Sequence, residues 1–191
     1  MGRQLGLYIH IPFCKSKCDY CDFYSLPERE ARMDAYQKAL LAHLKETAPQ
    51  AKGYLVDTVY FGGGTPSFYG EKRLRELLSA VKKRFEVAGN AEISLEANPD
   101  SVDKKSMVRL RRAGVNRVSL GMQSAHDDEL EALHRAHTWQ QTRQAVAAIR
   151  DRLGHMVKLE VETRNLEEVR QALDSAMEDR EVGVVLMTQK T

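Results

Sequence analysis

Residues 5–21 read Leu5-Gly-Leu-Tyr-Ile-His-Ile-Pro-Phe-Cys14-Lys-Ser-Lys-Cys18-Asp-Tyr-Cys21. The apolar stretch predicts a strand that ends at Pro12. The loop after it contains all three cysteines of the chain. A cubane iron–sulfur cluster held by three cysteines keeps one iron open to a substrate or cofactor. The alternative is a structural zinc site, which would need a fourth ligand such as one of the six histidines.

Strand-like and helix-like segments alternate along the rest of the chain. The predicted strands cover residues 5–11, 58–61, 92–97, 117–122, 157–162 and 182–187. The predicted helices cover residues 28–46, 71–85, 103–112, 127–134, 138–153 and 165–178. Thr138 with Gln141 fits a capping box, and Gly114 fits a left-handed helix C-cap. Such alternation implies parallel strands with helical crossovers, in an open doubly wound sheet or in a complete or partial barrel.

Polar residues and glycines follow the predicted strands, at the edge where parallel α/β folds collect function. Gly62-Gly63-Gly64-Thr65-Pro66 follows the second strand, Glu96 ends the third, and Gln123 follows the fourth. Backbone N–H groups of glycines can hold a carboxylate or phosphate, although a glycine run is often only a turn. The run lacks the Gly-Lys-Ser/Thr ending of a phosphate-binding loop.

Several of these residues also have ordinary interpretations. Glu96 and Gln123 could be polar positions at strand ends, and Arg135 could be a solvated residue beyond a short helix. His10, inside the first strand, could be a histidine with satisfied hydrogen bonds in the core or a residue of a pocket, and we favour the core position.

Composition sets bounds on the class of protein. The 191 residues carry 42% hydrophobic and 29% charged residues, as expected for one soluble globular domain. A net charge of +2 gives no indication of a nucleic-acid partner. We find no transmembrane segment and no signal-peptide core in the sequence, and we therefore expect a cytoplasmic protein. The clustered, odd-numbered cysteines argue against a disulfide framework.

The cysteine spacing resembles the signature of radical S-adenosylmethionine enzymes. Further motifs, in order, are similar to the oxygen-independent coproporphyrinogen III oxidase family over about residues 5–154. They are Tyr8-Ile-His-Ile-Pro-Phe-Cys14, Cys21-Asp-Phe-Tyr-Ser25, Phe61-Gly-Gly-Gly-Thr-Pro-Ser67, Leu95-Glu-Ala-Asn-Pro99, Arg117-Val-Ser-Leu-Gly-Met-Gln-Ser124 and Leu133-His-Arg-Ala-His-Thr138. The resemblance implies a partial six-stranded (β/α) barrel with the site at the carboxyl ends of its strands.

The resemblance also implies cofactors and the residues that bind them. Cys14, Cys18 and Cys21 would hold a [4Fe-4S] cluster whose open iron binds S-adenosylmethionine. The residues that would position S-adenosylmethionine are Tyr8, Tyr20, Gly63, Gly64, Thr65, Glu96, Gln123 and Arg135. The protein would supply orientation and water exclusion, while the cluster and cofactor supply the redox chemistry.

One position separates two branches of this family. True oxidases resemble Cys-x2-Cys-x-Cys at the end of the cluster motif, whereas Phe23 occupies that last position here. The departure favours the oxidase-like branch, whose members are similar to heme chaperones. That branch implies binding of heme or porphyrin, an electron donor and a heme-acceptor protein. No heme ligand can be chosen among His10, His43, His126, His134, His137 and His155. The alternative is oxidative decarboxylation of coproporphyrinogen III.

The family pattern changes after Gly154. An expected Asp-Leu-x-x-Gly-Leu-Pro segment is absent, and Lys158-Leu-Glu-Val-Glu-Thr-Arg-Asn-Leu-Glu-Glu168 weakly resembles quinolinate phosphoribosyltransferase. We therefore predict one radical S-adenosylmethionine-type domain over residues 1–191, with a family-like core at 1–154 and a divergent strand–helix–strand unit at 155–191. Because the relatives have a further C-terminal domain, an inactive truncated or fused fragment is a third interpretation.

Overall fold

The computed structural model describes residues 3–18, 21–27, 30–153 and 157–160. Its strands are β1 (Arg3–Ile11), β2 (Phe13–Cys14), β3 (Leu26–Pro27), β4 (Tyr54–Gly63), β5 (Val87–Ala97), β6 (Arg117–Gly121) and β7 (Val157–Glu160). Its helices are α1 (Glu30–Thr47), α2 (Pro66–Tyr69), α3 (Glu71–Arg84), α4 (Lys104–Ala113), α5 (Asp127–Ala132) and α6 (Trp139–Leu153). Short 3₁₀ turns occupy Ala48–Ala51 and Pro99–Ser101.

The main sheet contains β1, β4, β5, β6 and β7 in that order, and every pairing in it is parallel. Helices connect the successive strands, as the alternating sequence pattern predicts. This arrangement agrees with a partial (β/α) barrel, of which the structure describes five strands. The predicted helix at 165–178 and strand at 182–187 lie outside the described residues.

The core forms where the sheet packs against its helices. Each of the four strands β1, β4, β5 and β6 buries residues there, for example Ile9, Val59, Leu95 and Val118. Helix α3 contributes Leu74, Leu77, Leu78 and Val81, whose spacing places them on one helix face. The opposite faces of the strands carry polar side chains, and the site lies on that side.

The predicted boundaries differ from the structure where the sheet extends beyond its apolar residues. Strand β4 begins at Tyr54 instead of residue 58 and continues through Gly62 and Gly63. Strand β5 begins at Val87 instead of residue 92. The pairing of β4 with β5 shifts register between Val56 and Thr58, so the local alternation does not reveal the earlier part of the strands.

Candidate functional site

The cysteine loop is closed at its base by a small parallel sheet that the sequence analysis did not predict. Strand β2 ends at Cys14 and pairs with β3. The Leu26 N–H donates to the Pro12 carbonyl over 2.6 Å. Within the loop, the Cys21 N–H donates to the Cys18 carbonyl over 3.1 Å. All three cysteines are partly exposed and none forms a disulfide, whereas Tyr20 lies outside the described residues.

The glycine run lies directly against the segment that leads into this loop. The Gly64 N–H donates to the Ile11 carbonyl over 2.8 Å, and the Thr65 N–H donates to the Phe13 carbonyl over 2.7 Å. A Cβ atom at Gly64 would lie 2.8 Å from the Phe13 carbonyl oxygen. Glycine is required here because the contact is with backbone, which cannot rotate away.

Gly63 connects the glycine run to Glu96 at the carboxyl end of β5. Its φ of +119° is in the region that favours glycine. Its N–H donates to Glu96 Oε2 over 2.9 Å, and the Tyr60 hydroxyl donates to Glu96 Oε1 over 2.8 Å. The carboxylate is therefore fixed beside the glycines, where it can accept hydrogen bonds from a ligand.

Two stacked tyrosine rings lie beside this carboxylate. The rings of Tyr8 and Tyr60 stack with centroids 6.0 Å apart, and 59% of Tyr8 is exposed. Partial burial, with a smaller contribution from the Glu96 charge, raises the pKa of Tyr8. The Tyr8 hydroxyl lies 3.0 Å from His10 Nδ1. The predicted core position of His10 is wrong, because its ring lies beside Gly63 on the site side of the sheet.

Two side chains from outside the cysteine loop donate hydrogen bonds to cysteine sulfurs. The Thr65 hydroxyl lies 3.4 Å from Cys14 Sγ, and Arg135 Nη1 lies 3.3 Å from Cys18 Sγ. Arg135 Nη2 also donates to the Gly121 carbonyl over 3.0 Å, which holds the guanidinium at the end of β6. Hydrogen bonds of this kind to metal ligands orient the ligands and tune a bound metal centre.

Gln123 follows β6 in a left-handed conformation, with φ +67°. Only 8% of the residue is exposed. Within the part of the chain that the structure describes, its buried Oε1 has no hydrogen-bond partner. A buried amide oxygen without a partner is costly, so this atom is a candidate acceptor for a bound ligand.

The comparisons with known proteins agree with this geometry. The family model for the Radical SAM superfamily matches residues 8–176. The chain belongs to the Radical SAM superfamily. The heme chaperone HemW of Escherichia coli is 43% identical over 142 residues, and that of Mycobacterium tuberculosis is 42% identical over 140 residues. These matches cover 74% and 72% of this chain but only 38% and 36% of the relatives, so the chain spans less than two fifths of their length.

A solved structure supports the fold. The radical SAM enzyme coproporphyrinogen III oxidase (HemN) of Escherichia coli superposes with a TM-score of 0.86 at 23% identity. The superposition covers 97% of this chain and 44% of that enzyme. At this level of identity the likeness establishes a radical SAM fold and not a shared activity.

Membership of the Radical SAM superfamily implies a [4Fe-4S] cluster and S-adenosylmethionine, and the residues present fit both groups. Burial raises the pKa of the Cys14 thiol, and the neighbouring Cys21 and Cys18 sulfurs raise it further, while hydrogen bonds from Thr65 and Ser25 lower it. The buried Gln123 Oε1 without a partner, and the donors that Thr65 and Arg135 direct at Cys14 and Cys18, fit bound groups at this edge of the sheet.

A [4Fe-4S] cluster needs a different arrangement of cysteines from a site that holds one metal ion. Among the described residues, no three His, Cys, Asp or Glu side chains lie close enough to hold one ion. In a cubane cluster each cysteine binds a different iron, so the sulfurs lie farther apart than the ligands of one ion.

The radical SAM match extends to residue 176, beyond the change of pattern after Gly154. The proposed resemblance to quinolinate phosphoribosyltransferase has no support in the comparisons. The division into a core at 1–154 and a divergent unit at 155–191 stays a prediction, because most of the second range lies outside the described residues.

Asn98 is one site residue that the sequence analysis missed. Its Nδ2 donates to Thr65 Oγ1 over 3.3 Å, and its Oδ1 accepts from Arg135 Nη2 over 2.9 Å. The only sequence signal was its place inside the Leu95–Pro99 motif, directly after a strand end.

Proposed function

We propose that this chain is the cluster- and S-adenosylmethionine-binding part of a heme chaperone of the radical SAM superfamily. The observation that carries this proposal is the identity of 43% and 42% to two proteins named heme chaperone HemW. Because the chain spans 38% or less of either relative, the proposal concerns the region that they share.

The cofactor-binding residues are those that the family resemblance implies. We assign the cluster to Cys14, Cys18 and Cys21, supported by the donors that Thr65 and Arg135 direct at two of the sulfurs. We assign S-adenosylmethionine to the surrounding set of Tyr8, Tyr20, Gly63, Gly64, Thr65, Glu96, Gln123 and Arg135. The contacts of Gly63 and Tyr60 with Glu96 support this assignment, because they gather polar groups beside the cysteine loop.

The alternative function is oxidative decarboxylation of coproporphyrinogen III, because the structurally similar HemN is named coproporphyrinogen III oxidase. Phe23 argues against this alternative, because the family resemblance implies a cysteine at that position in the true oxidases. Phe23 is 62% exposed and lies beside Tyr24, which is 71% exposed. An inactive fragment is the third interpretation, and it predicts no cofactor-dependent signal at all.

The heme-chaperone function implies partners of three kinds: heme or another porphyrin, an electron donor for the cluster, and a protein that accepts heme. A cytoplasmic location is part of the same proposal. None of the helices in the described part of the chain is both long and apolar enough to cross a membrane.

Burial narrows the choice of a heme ligand among the histidines. His137 is 4% exposed and its Nε2 lies 3.0 Å from the Met122 carbonyl, so heme ligation there would require opening the core. His43, His126 and His134 are exposed, His10 is partly buried beside the cofactor residues, and His155 lies outside the described residues. We therefore propose that His137 is not a heme ligand.

The test is a hemin titration of the anaerobically reconstituted chain, followed by absorbance in the Soret region. The titrated sample is then mixed with an apo-form of a heme protein, and a parallel sample receives coproporphyrinogen III, S-adenosylmethionine and a reductant. The matched control is His137→Asn, which removes a buried histidine and leaves the exposed ones.

If the chain is part of a heme chaperone, both the unsubstituted chain and His137→Asn bind hemin. The bound hemin passes to the acceptor protein, and coproporphyrinogen III stays unchanged. Formation of protoporphyrinogen would establish the oxidase alternative instead. Failure to bind hemin, with an intact cluster, would overturn the heme function of this region and retain the radical SAM assignment.

A further inference from the structure

We propose that Asn98 is a positioning residue of the cluster site. It holds Thr65 and Arg135 in the orientations in which they donate hydrogen bonds to Cys14 and Cys18. Asn98 is not among the cofactor residues that the family resemblance implies. The inference rests on the proposed cluster site, and it adds a residue that acts through two others.

The contacts form a continuous path between two cysteines. Asn98 donates to Thr65 over 3.3 Å and accepts from Arg135 over 2.9 Å. Thr65 in turn lies 3.4 Å from Cys14 Sγ, and Arg135 lies 3.3 Å from Cys18 Sγ. One carboxamide therefore connects the donors of two sulfurs that come from opposite ends of the Cys14–Cys18 segment.

The chemistry of the path requires an amide. Arg135 can only donate, so the atom that faces it must be the amide oxygen. The amide nitrogen then faces Thr65 and donates to its oxygen, which leaves the single hydroxyl proton of Thr65 for Cys14. A carboxylate at this position would compete with Cys14 for that proton, because a carboxylate only accepts.

The backbone of Asn98 is held independently of its side chain. Its N–H donates to Ser67 Oγ over 3.2 Å, and the Ser101 hydroxyl donates to its carbonyl over 2.8 Å. A Cβ atom at Gly121 would lie 3.1 Å from Asn98 Oδ1, so the space for the amide depends on this glycine. Substitution of the side chain alone therefore leaves the main anchors of the residue in place.

The consequence concerns the reduction potential of the cluster. Hydrogen bonds to cluster sulfurs help to set that potential, because they stabilise the more negative reduced form. Loss of Asn98 frees Thr65 and Arg135 to leave the sulfurs, and the potential falls. Arg135 also loses an acceptor, so its orientation toward S-adenosylmethionine is weakened.

The experiment compares the reconstituted unsubstituted chain with Asn98→Leu, Asn98→Asp, Thr65→Val and the double variant Asn98→Leu/Thr65→Val. The control is Asn116→Asp, which changes a partly buried asparagine whose side chain bonds backbone groups of Ile93 and Ala91. Each sample is measured for iron and sulfide content, for midpoint potential by a redox titration, and for S-adenosylmethionine affinity by calorimetry.

The inference predicts a lower potential for Asn98→Leu and for Thr65→Val, and a double variant that shifts by less than the sum of the two. Asn98→Leu weakens S-adenosylmethionine binding about tenfold, the effect of about 1.4 kcal/mol. Asn98→Asp retains the acceptor for Arg135, so its S-adenosylmethionine affinity stays within about twofold of the unsubstituted chain. Its potential falls, because the carboxylate takes the Thr65 hydroxyl proton from Cys14. Asn116→Asp changes neither quantity.

An unchanged potential in Asn98→Leu, at full iron and sulfide content, overturns the positioning role. Strictly additive shifts in the double variant also overturn it, because Asn98 would then not act through Thr65. If Asn98→Leu does not assemble a cluster, the role is tested on Asn98→Asp, and an unchanged potential there, at full iron and sulfide content, overturns it. If the unsubstituted chain assembles no cluster, the proposed cluster site fails, and that outcome is distinct from a failure of Asn98 alone.

Discussion

The backbone N–H of Gly63 donates to the carboxylate of Glu96 over 2.9 Å. This bond joins the end of β4 to the end of β5, whose residues are separated by 33 positions in the sequence. The glycine run and the carboxylate, which have separate sequence signals, therefore form one structural unit beside the cysteine loop.

Gly63→Val should weaken S-adenosylmethionine binding and spare the cluster. The new Cβ would lie 2.4 Å from the His10 ring, and φ +119° is unfavourable for a β-branched residue. Backbone strain of roughly 1–3 kcal/mol should displace the N–H from Glu96 and lower the affinity about tenfold or more. Calorimetry on the reconstituted protein measures this, with iron and sulfide content in parallel.

The matched control is Gly53→Val, at another positive-φ glycine (+83°) where an added Cβ meets none of the described residues within 4 Å. It carries similar backbone strain away from the site. Equal affinities of Gly63→Val and Gly53→Val would remove Gly63 from the cofactor site.

Gly64→Ala should destabilise the packing of the cysteine loop. Its Cβ would lie 2.8 Å from the Phe13 carbonyl oxygen and 3.0 Å from the Ile11 carbonyl oxygen. Overpacking of this kind costs about 1–3 kcal/mol, which urea unfolding of the apoprotein followed by circular dichroism can detect. Gly89→Ala is the control, since the described residues leave open space around its Cβ. A free energy of unfolding unchanged in Gly64→Ala would show that the loop accommodates the methyl group.

His137 should make the free energy of unfolding depend on pH. Burial and the Arg135 charge lower its pKa, against opposing effects of the Met122 carbonyl, Asp100 and Asp127. Below about pH 6.5, His137 binds a proton more readily in the unfolded chain than in the folded chain. The contribution of His137 to the free energy of unfolding is therefore constant above that pH and falls below it. Urea unfolding between about pH 5 and 8 measures the slope.

His137→Asn should flatten this dependence, whereas His43→Asn, which changes an exposed histidine, should not. An identical slope in the unsubstituted chain and in His137→Asn would assign the pH dependence to other groups.

Asp103→Ala should remove the N-cap of α4. Asp103 Oδ1 accepts from the Lys105 and Ser106 N–H groups over 2.8 and 3.0 Å, and the Ser106 hydroxyl completes a capping box. Loss of this cap costs about 1 kcal/mol in the free energy of unfolding, while Asp103→Ser retains most of it. Equal unfolding midpoints for the alanine and serine variants would contradict the capping role.

The regular elements were predictable because their signals are local. The capping box of Thr138 and Gln141 is present, with bonds of 2.8 and 3.3 Å, and Gly114 has the expected left-handed conformation at φ +119°. Burial of alternate strand residues is likewise a local pattern. Such signals depend on neighbours in the chain, and a single sequence contains them.

The unpredicted features depend on contacts between distant residues. The pairing of β2 with β3 involves two residues in each strand, too few for an alternation pattern. Asn98 reaches its partners across 33 and 37 positions, and nothing local distinguishes it from an asparagine in a turn. His10 was placed on the wrong side because a histidine in an apolar strand does not indicate which face it occupies.

The most direct test of the radical SAM site is electron paramagnetic resonance of the anaerobically reconstituted, reduced chain, recorded with and without S-adenosylmethionine. The account predicts a [4Fe-4S] signal that changes when S-adenosylmethionine is added, and no such signal when Cys14, Cys18 and Cys21 are replaced by alanine. A cluster signal that survives those substitutions, or one that S-adenosylmethionine leaves unchanged, would contradict the account.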